Sequence, residues 1–178
     1  MLFECLTHKV NNYGKIAPHC TGLAYAERKI MPIIIEYSHE IEASVDQVWD
    51  VLTDLKAYPQ WNTFVEQCES SLKVGDPINM RVRVLPFMAQ PQQEFIFENE
   101  PGRLLSYGIK PAPLGAMKSY RSHRLEPLSN GSTRYLSRFE LSGWFVPVVG
   151  LLLERFLRDG FRRMSQGIAD EARRRAAA

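Results

Sequence analysis

Cysteine is scarce in this chain. There are three, Cys5, Cys20 and Cys68, among 178 residues. An odd, sparse set without regular spacing excludes a disulfide framework and a structural zinc motif, and points to free thiols in a reducing compartment. Long apolar runs are also missing. A bilayer span needs roughly 18–20 apolar residues, and the longest candidate, Trp144 to Leu153, is about half that and contains Pro147. Residues 1–30 hold no continuous apolar core of the secretory type, so a cytoplasmic location is expected. Charge of one sign is not in excess: 22 basic against 20 acidic residues leave +2, which argues against nucleic acid as a partner. With 11 glycines and 11 prolines the chain is no collagen or low-complexity protein.

What is present suits one globular domain. Hydrophobic residues make up 45% and charged residues 24%. A chain of this length buries roughly 70% of its unfolded surface, enough for one core. The composition changes at Met31-Pro32. Residues 1–30 show no period of 2 or 3.6, and they hold Lys9, Lys15, Arg28 and Lys29 against Glu4 and Glu27, too weakly basic for a transit peptide. Residues 1–31 are therefore expected to be an extension, with Met31 as an alternative start, or else a short targeting or interaction arm. The domain is expected over 32–176.

From Ile33 the pattern becomes β. Tyr37, His39, Ile41 and Ala43 share one face, and Glu36, Ser38, Glu40 and Glu42 the other. Ser44 and Gln47 form a capping-box pattern before Val45, Val48, Trp49, Leu52 and Leu55, so a helix over 45–54 follows, with Trp49 as its core anchor. Tyr58-Pro59 is expected to stop it, with a second helical turn around Gln60–Asn62. Asp54 and Asn62 read as capping or turn residues.

Six short strands come next: Phe64–Ser70, Ile78–Leu85, Gln92–Glu98, Arg103–Lys110, Met117–Leu125 and Thr133–Ser142. Val82 lies on the apolar face of the second, Phe95 and Phe97 on that of the third, and Tyr107 on that of the fourth. Tyr135 and Phe139 lie on that of the last. The turn Ser129-Asn130-Gly131-Ser132 is a hairpin signal. A long helix then carries Val149, Leu153, Phe156, Leu157, Phe161, Met164, Ile168 and Ala172 on one face, with Pro147 in its first turn. Its Arg155, Arg158, Arg162 and Arg163 face reads as solvated, with an anionic surface as the alternative. The end beyond Asp170 is expected to fray. The order predicts an α+β fold, one curved seven-stranded antiparallel sheet whose concave face the long helix covers, leaving an apolar cavity between them.

Residues 43–62, Ala-Ser-Val-Asp-Gln-Val-Trp-Asp-Val-Leu-Thr-Asp-Leu-Lys-Ala-Tyr-Pro-Gln-Trp-Asn, resemble the opening of the SRPBCC (START-like, helix-grip) superfamily. More narrowly, they resemble its polyketide cyclase/dehydrase and lipid-transport families. Val74-Gly75-Asp76-Pro77, Leu125-Glu126-Pro127-Leu128, Asn130-Gly131-Ser132-Thr133-Arg134 and Ser142-Gly143 fit as well. The resemblance implies a helix-grip fold with two short helices after the first strand. It also implies either a carrier of a hydrophobic small molecule, such as a lipid, isoprenoid or polyketide-like compound, or a cyclase working by acid/base chemistry.

Chemistry is sparse. There is no phosphate loop, paired-His metal motif or nucleophile elbow, and neither a metal nor a cofactor is expected. No catalytic residue is assigned. On the strand Met117–Leu125, Arg121 and His123 share the face of Met117 and Leu125, so both are expected to point inward. Arg121 would then either pair with an acid such as Glu94 or orient a polar group of a ligand. Candidate ligand-binding residues are Tyr37, His39, Val82, Phe95, Phe97, Tyr107, Arg121, His123, Tyr135, Phe139 and Phe156. A hydrophobic small molecule is the expected partner, with peripheral membrane contact as an additional one. The sequence sets no oligomeric state.

Overall fold

The computed structural model describes residues 31–178, so Cys5, Cys20 and the reading of residues 1–30 as an extension or arm lie outside the described residues. β1 (Ile33–Ile41) is followed by α1 (Val45–Thr53), a 3-10 turn at Leu55–Ala57 and α2 (Tyr58–Trp61). Then come β2 (Val65–Ser70), β3 (Pro77–Leu85), β4 (Met88–Glu100), β5 (Leu104–Gly108), β6 (Lys118–Pro127) and β7 (Thr133–Ser142). The chain ends in α3 (Val146–Ala176). The strands form one antiparallel sheet in the order β1-β7-β6-β5-β4-β3-β2. Each of β2 to β7 joins its neighbour by a short connection, and β1 closes the far edge against β7. This is the expected α+β architecture.

Local chemistry explains the elements. The Ser44 hydroxyl accepts from the Gln47 amide at 3.3 Å, and the Gln47 side chain accepts from the Ser44 amide at 2.9 Å, which satisfies two free donors of α1. Val48, Val51 and Leu52 are buried, whereas Trp49 is only half-buried against the core and is not its anchor. Pro59 does not stop α1. The helix ends at Asp54, and Pro59 sits in the first turn of α2, where its missing N–H leaves no intrahelical bond unmade. Asn62 Oδ1 accepts from the amides of Phe64 and Val65 at 3.0 and 2.9 Å, turning the chain into β2. At the β6–β7 hairpin, Gly131 takes φ +83, and Asn130 Oδ1 accepts from the Ser132 amide.

α3 spans 31 residues, roughly 46 Å at 1.5 Å per residue. Its C-terminal end does not fray. Glu171 is buried and receives Arg174 and Arg175, while Ala172 packs into the core, so the helix continues to Ala176. Those two arginines hold the Glu171 carboxyl down at about 2, Arg174 contributing most. The arginine face of the helix is solvated and internally paired, Arg158 with Glu154 and both Arg162 and Arg163 with Asp159.

Candidate functional site

Register builds the site. Ile96, Tyr107, Arg121, Phe139 and Ile35 stand directly opposite one another across five neighbouring strands. Opposed residues share a face, and this row points at α3. Helix positions 149, 153, 157, 161 and 164 recur every three or four residues and meet the same space. Between them lies a cavity of about 310 Å³. At one end its lining is partly open: Gln90 is exposed, and Val84, Leu85, Ile109, Met117, Val149 and Leu153 are half-buried. At the other end Glu94, Tyr107, Arg121, Phe139, Phe161 and Met164 are buried. The cavity is therefore a funnel with an apolar neck and a polar floor.

Arg121 forms that floor. It is 1% exposed, and its Nε and Nη1 have no hydrogen-bond partner. Nη2 meets only the Met164 sulfur at 4.0 Å, and the guanidinium carbon lies 4.5 Å from the centre of the Phe161 ring. A buried guanidinium with two unmade bonds is costly in a closed core. Glu94 shares the cavity. Gln92 donates to its Oε1 at 3.2 Å, while Oε2 has no partner. Burial raises the Glu94 carboxyl to about 7, with the Gln92 bond and the Arg121 charge opposing.

A raised carboxyl makes folding pH-dependent in a fixed direction. Between the ordinary value of 4.5 and about 7 the folded chain holds a proton that the unfolded chain has released. Stability from this group is thus highest below pH 4.5, falls as pH rises to 7, and is level above it. The drop is on the order of 3 kcal/mol. Urea unfolding of Glu94→Gln between pH 4.5 and 8 should lack this component, so the variant gains on the wild type as pH rises. Parallel profiles for the two proteins would show that Glu94 is ionised throughout.

Beneath the floor lies a second polar layer. Tyr107 Oη is 3.1 Å from His123 Nε2, and His123 Nδ1 is 2.7 Å from Tyr135 Oη. All three are buried. Burial, with the Arg121 charge second, holds the His123 ring well below its ordinary value, so the imidazole is neutral.

Of the sequence candidates, the cavity brings together Val82, Tyr107, Arg121 and Phe139. His123 and Tyr135 stand behind it. Phe95 and Phe97 are corrections. The inward positions of β4 are Gln90, Gln92, Glu94 and Ile96, and the aromatics occupy the outer face, Phe95 under Lys110 Nζ at 3.6 Å and Phe97 against Tyr120. Tyr37 does not reach the cavity, because its hydroxyl donates to the Arg158 carbonyl at 2.8 Å. His39 lies outside too, stacked on Tyr135 at 6.4 Å. Tyr135 stacks on His123 as well, so the two histidines form no pair. Phe156 is half-buried beside Arg155, one position off the helix stripe that lines the cavity. Sequence reasoning missed Gln90 and Gln92 as lining residues. Their alternation with Glu94 and Ile96 was the available signal. Among the described residues, no group of three or more His, Cys, Asp or Glu is placed to hold a metal, and no helix is long and apolar enough to cross a membrane.

Residues 32–177 match the family described as polyketide cyclase / dehydrase and lipid transport. The chain belongs to this family. Solved structures share its fold. A START superfamily protein from Mycobacterium smegmatis is 14% identical, with TM-score 0.62, over 81% of this chain and 97% of that one. The Zhui aromatase/cyclase from Streptomyces sp. R1128 is 16% identical, with TM-score 0.63, over 83% and 94%. Truncated norcoclaurine synthase from Thalictrum flavum is 19% identical, with TM-score 0.59, over 79% and 92%. No curated protein matches. The family fold supports binding of a hydrophobic ligand.

Proposed function

We propose that the chain binds or carries a hydrophobic small molecule, of lipid, isoprenoid or polyketide-like type, whose acidic or carbonyl head reaches Arg121. One observation carries this reading: a buried guanidinium with two unpartnered nitrogens, Nε and Nη1, at the floor of an otherwise mostly apolar funnel. An acceptor on the ligand would supply the missing bonds, and a guanidinium suits a carboxylate through its fixed fork of donors. The neck offers burial worth roughly 25 cal/mol per Å² before ordering costs. The scarce cysteines support a cytoplasmic setting.

Native mass spectrometry of the freshly purified full chain should reveal a co-purifying apolar acid. Displacement of a bound apolar fluorophore by a medium-chain fatty acid should need at least tenfold less ligand than by its primary amide. If the fluorophore, the acid and the amide all fail to bind, this reading is wrong for these ligand classes.

Glu94 favours a second reading as a cyclase-like enzyme. A carboxyl at about 7 in the same cavity as a cation is poised to take a proton beside a carbonyl whose developing negative charge Arg121 would stabilise. Deuterium exchange into a bound 1,3-diketone, lost in Glu94→Gln, would select it. Exchange at the rate of free diketone would exclude it.

A further inference from the structure

The polar groups of the cavity are not spread around its wall. Among the described residues, Gln90, Gln92 and Glu94 of β4, Tyr107 of β5, and Ser119 and Arg121 of β6 supply them, whereas α3 contributes only Val149, Leu153, Leu157, Phe161 and Met164. Strand alternation puts Gln90, Gln92 and Glu94 on one face at a repeat of roughly 6.8 Å, so they form a stripe that runs from the open mouth toward the floor. Its flank on β3 is apolar: Met80 stands opposite Gln92, and Val82 opposite Gln90. A wholly apolar tail would cover this stripe and offer its polar atoms nothing in place of water.

Glu94 is the buried end of the stripe, and it is incompletely bonded. It is 7% exposed, Oε1 accepts from Gln92, and Oε2 has no partner. Arg121 lies in the same cavity with Nε and Nη1 unpartnered, yet the two side chains do not bond each other. Register keeps them apart. Arg121 stands in the row of Tyr107 and Ile96, and Glu94 lies two residues nearer the mouth on β4, with β5 between the two strands. Their backbones are therefore offset by roughly 7 Å along the strands and about 9–10 Å across them. A head group held by Arg121 leaves Glu94 Oε2 to a different atom of the ligand, part-way along its chain. A hydroxyl fits that place, because it donates and accepts and so serves the carboxyl with or without its proton.

We infer that the ligand is an apolar hydroxy acid, whose carboxylate reaches Arg121 and whose hydroxyl, part-way along the chain, faces Glu94 and Gln92. This rests on the reading of the cavity as a ligand site with Arg121 at its floor. It goes further in fixing where the ligand is polar: along the edge that faces β4, with the opposite edge bare against α3.

Displacement of the apolar fluorophore from the full chain tests it, with three competitors: dodecanoic acid, the same acid hydroxylated on its sixth carbon, and the same acid hydroxylated on its last. The mid-chain hydroxyl falls beside Glu94, and the terminal one reaches the mouth. The wild type should bind the mid-chain hydroxy acid at least as tightly as the parent, although a hydroxyl makes a molecule less ready to leave water. In Glu94→Leu the ratio of the two affinities should move at least tenfold in favour of the parent, because the group that meets the hydroxyl is gone. Gln92→Leu should move it at least threefold in the same direction. The terminal hydroxy acid should keep one ratio to the parent in all three proteins. Ratios cancel any change common to the ligands, including the effect of the Glu94 charge on their carboxylates. Weaker binding of the mid-chain hydroxy acid than of the parent by the wild type would overturn the inference. So would a ratio that Glu94→Leu leaves unmoved, with Gln92→Leu deciding if the former does not fold, or one that moves as far for the terminal hydroxy acid. In those cases the parent acid still binds, and the cavity reading stands. Failure of all three acids to displace the fluorophore defeats both.

Discussion

Arg121→Met should weaken binding of an apolar carboxylic acid about 10- to 150-fold and leave its primary amide within a few-fold. The range corresponds to ~1.5–3 kcal/mol, the scale of hydrogen bonds to a charged group. Methionine keeps the unbranched stem and fills the space beside Met164 and Phe161, so the loss isolates the guanidinium. The same substitution should stabilise the empty protein by about 1–4 kcal/mol, because it replaces a buried, unpartnered cation with an apolar chain. Loss of the cation raises the Glu94 carboxyl further, which adds little cost below about pH 7, where the folded chain already holds this proton. Titration calorimetry and urea unfolding on one preparation check both effects. Equal losses for acid and amide, together with lower stability, would mean that Arg121 is structural.

Gly108→Ala should destabilise the fold by roughly 3 kcal/mol or more. A Cβ there would lie 2.1 Å from the Ser119 carbonyl oxygen and 2.8 Å from its carbon. Both are backbone atoms, fixed by the β5–β6 ladder, and the Ser119 amide donates to the Ile109 carbonyl just beyond. Relief would require the strands to part beside Tyr107 and Arg121, so ligand binding should fall as well. Gly160→Ala provides a contrast. Its Cβ would meet the Phe64 ring at 2.2 Å, but alanine regains about 1 kcal/mol of helix propensity and the obstacle is a side chain. Its net loss should be the smaller of the two in thermal or urea unfolding. Reversal of that order would show that the β5–β6 seam yields more easily than the contact between α3 and Phe64.

Some of this was legible in the residues alone, and the reason differs from element to element. β6 could be read because Met117 and Leu125 bracket Arg121 and His123 at even spacing, so the inward direction of apolar residues carried the polar ones with it. β4 could not. There the bulky Phe95 and Phe97 outweighed Glu94 and Gln92 in any hydrophobicity count, although the latter face inward. The fold tolerates that inversion because the outer face of β4 is itself covered, by Tyr120 and the ammonium group of Lys110. Trp49 was misjudged for a related reason: it is the largest side chain of α1 and still sits at the margin of the buried stripe. The partnerless state of Arg121 was not legible at all, because it depends on distances across four strands and a helix.

The Tyr107–His123–Tyr135 row has a property that heavy-atom positions do not display. A neutral imidazole carries one ring proton, so the row has two orders. In one, Tyr107 donates to Nε2 and Nδ1–H donates to Tyr135, which leaves the Tyr107 oxygen with only lone pairs to offer the cavity. In the other, Tyr135 donates to Nδ1 and Nε2–H donates to Tyr107, whose own proton is then free. Switching between them moves hydrogens only. One phenol in the cavity wall therefore serves as an acceptor for one ligand and a donor for another, and a hydroxyl and a ketone on otherwise identical molecules meet the same wall on equal terms.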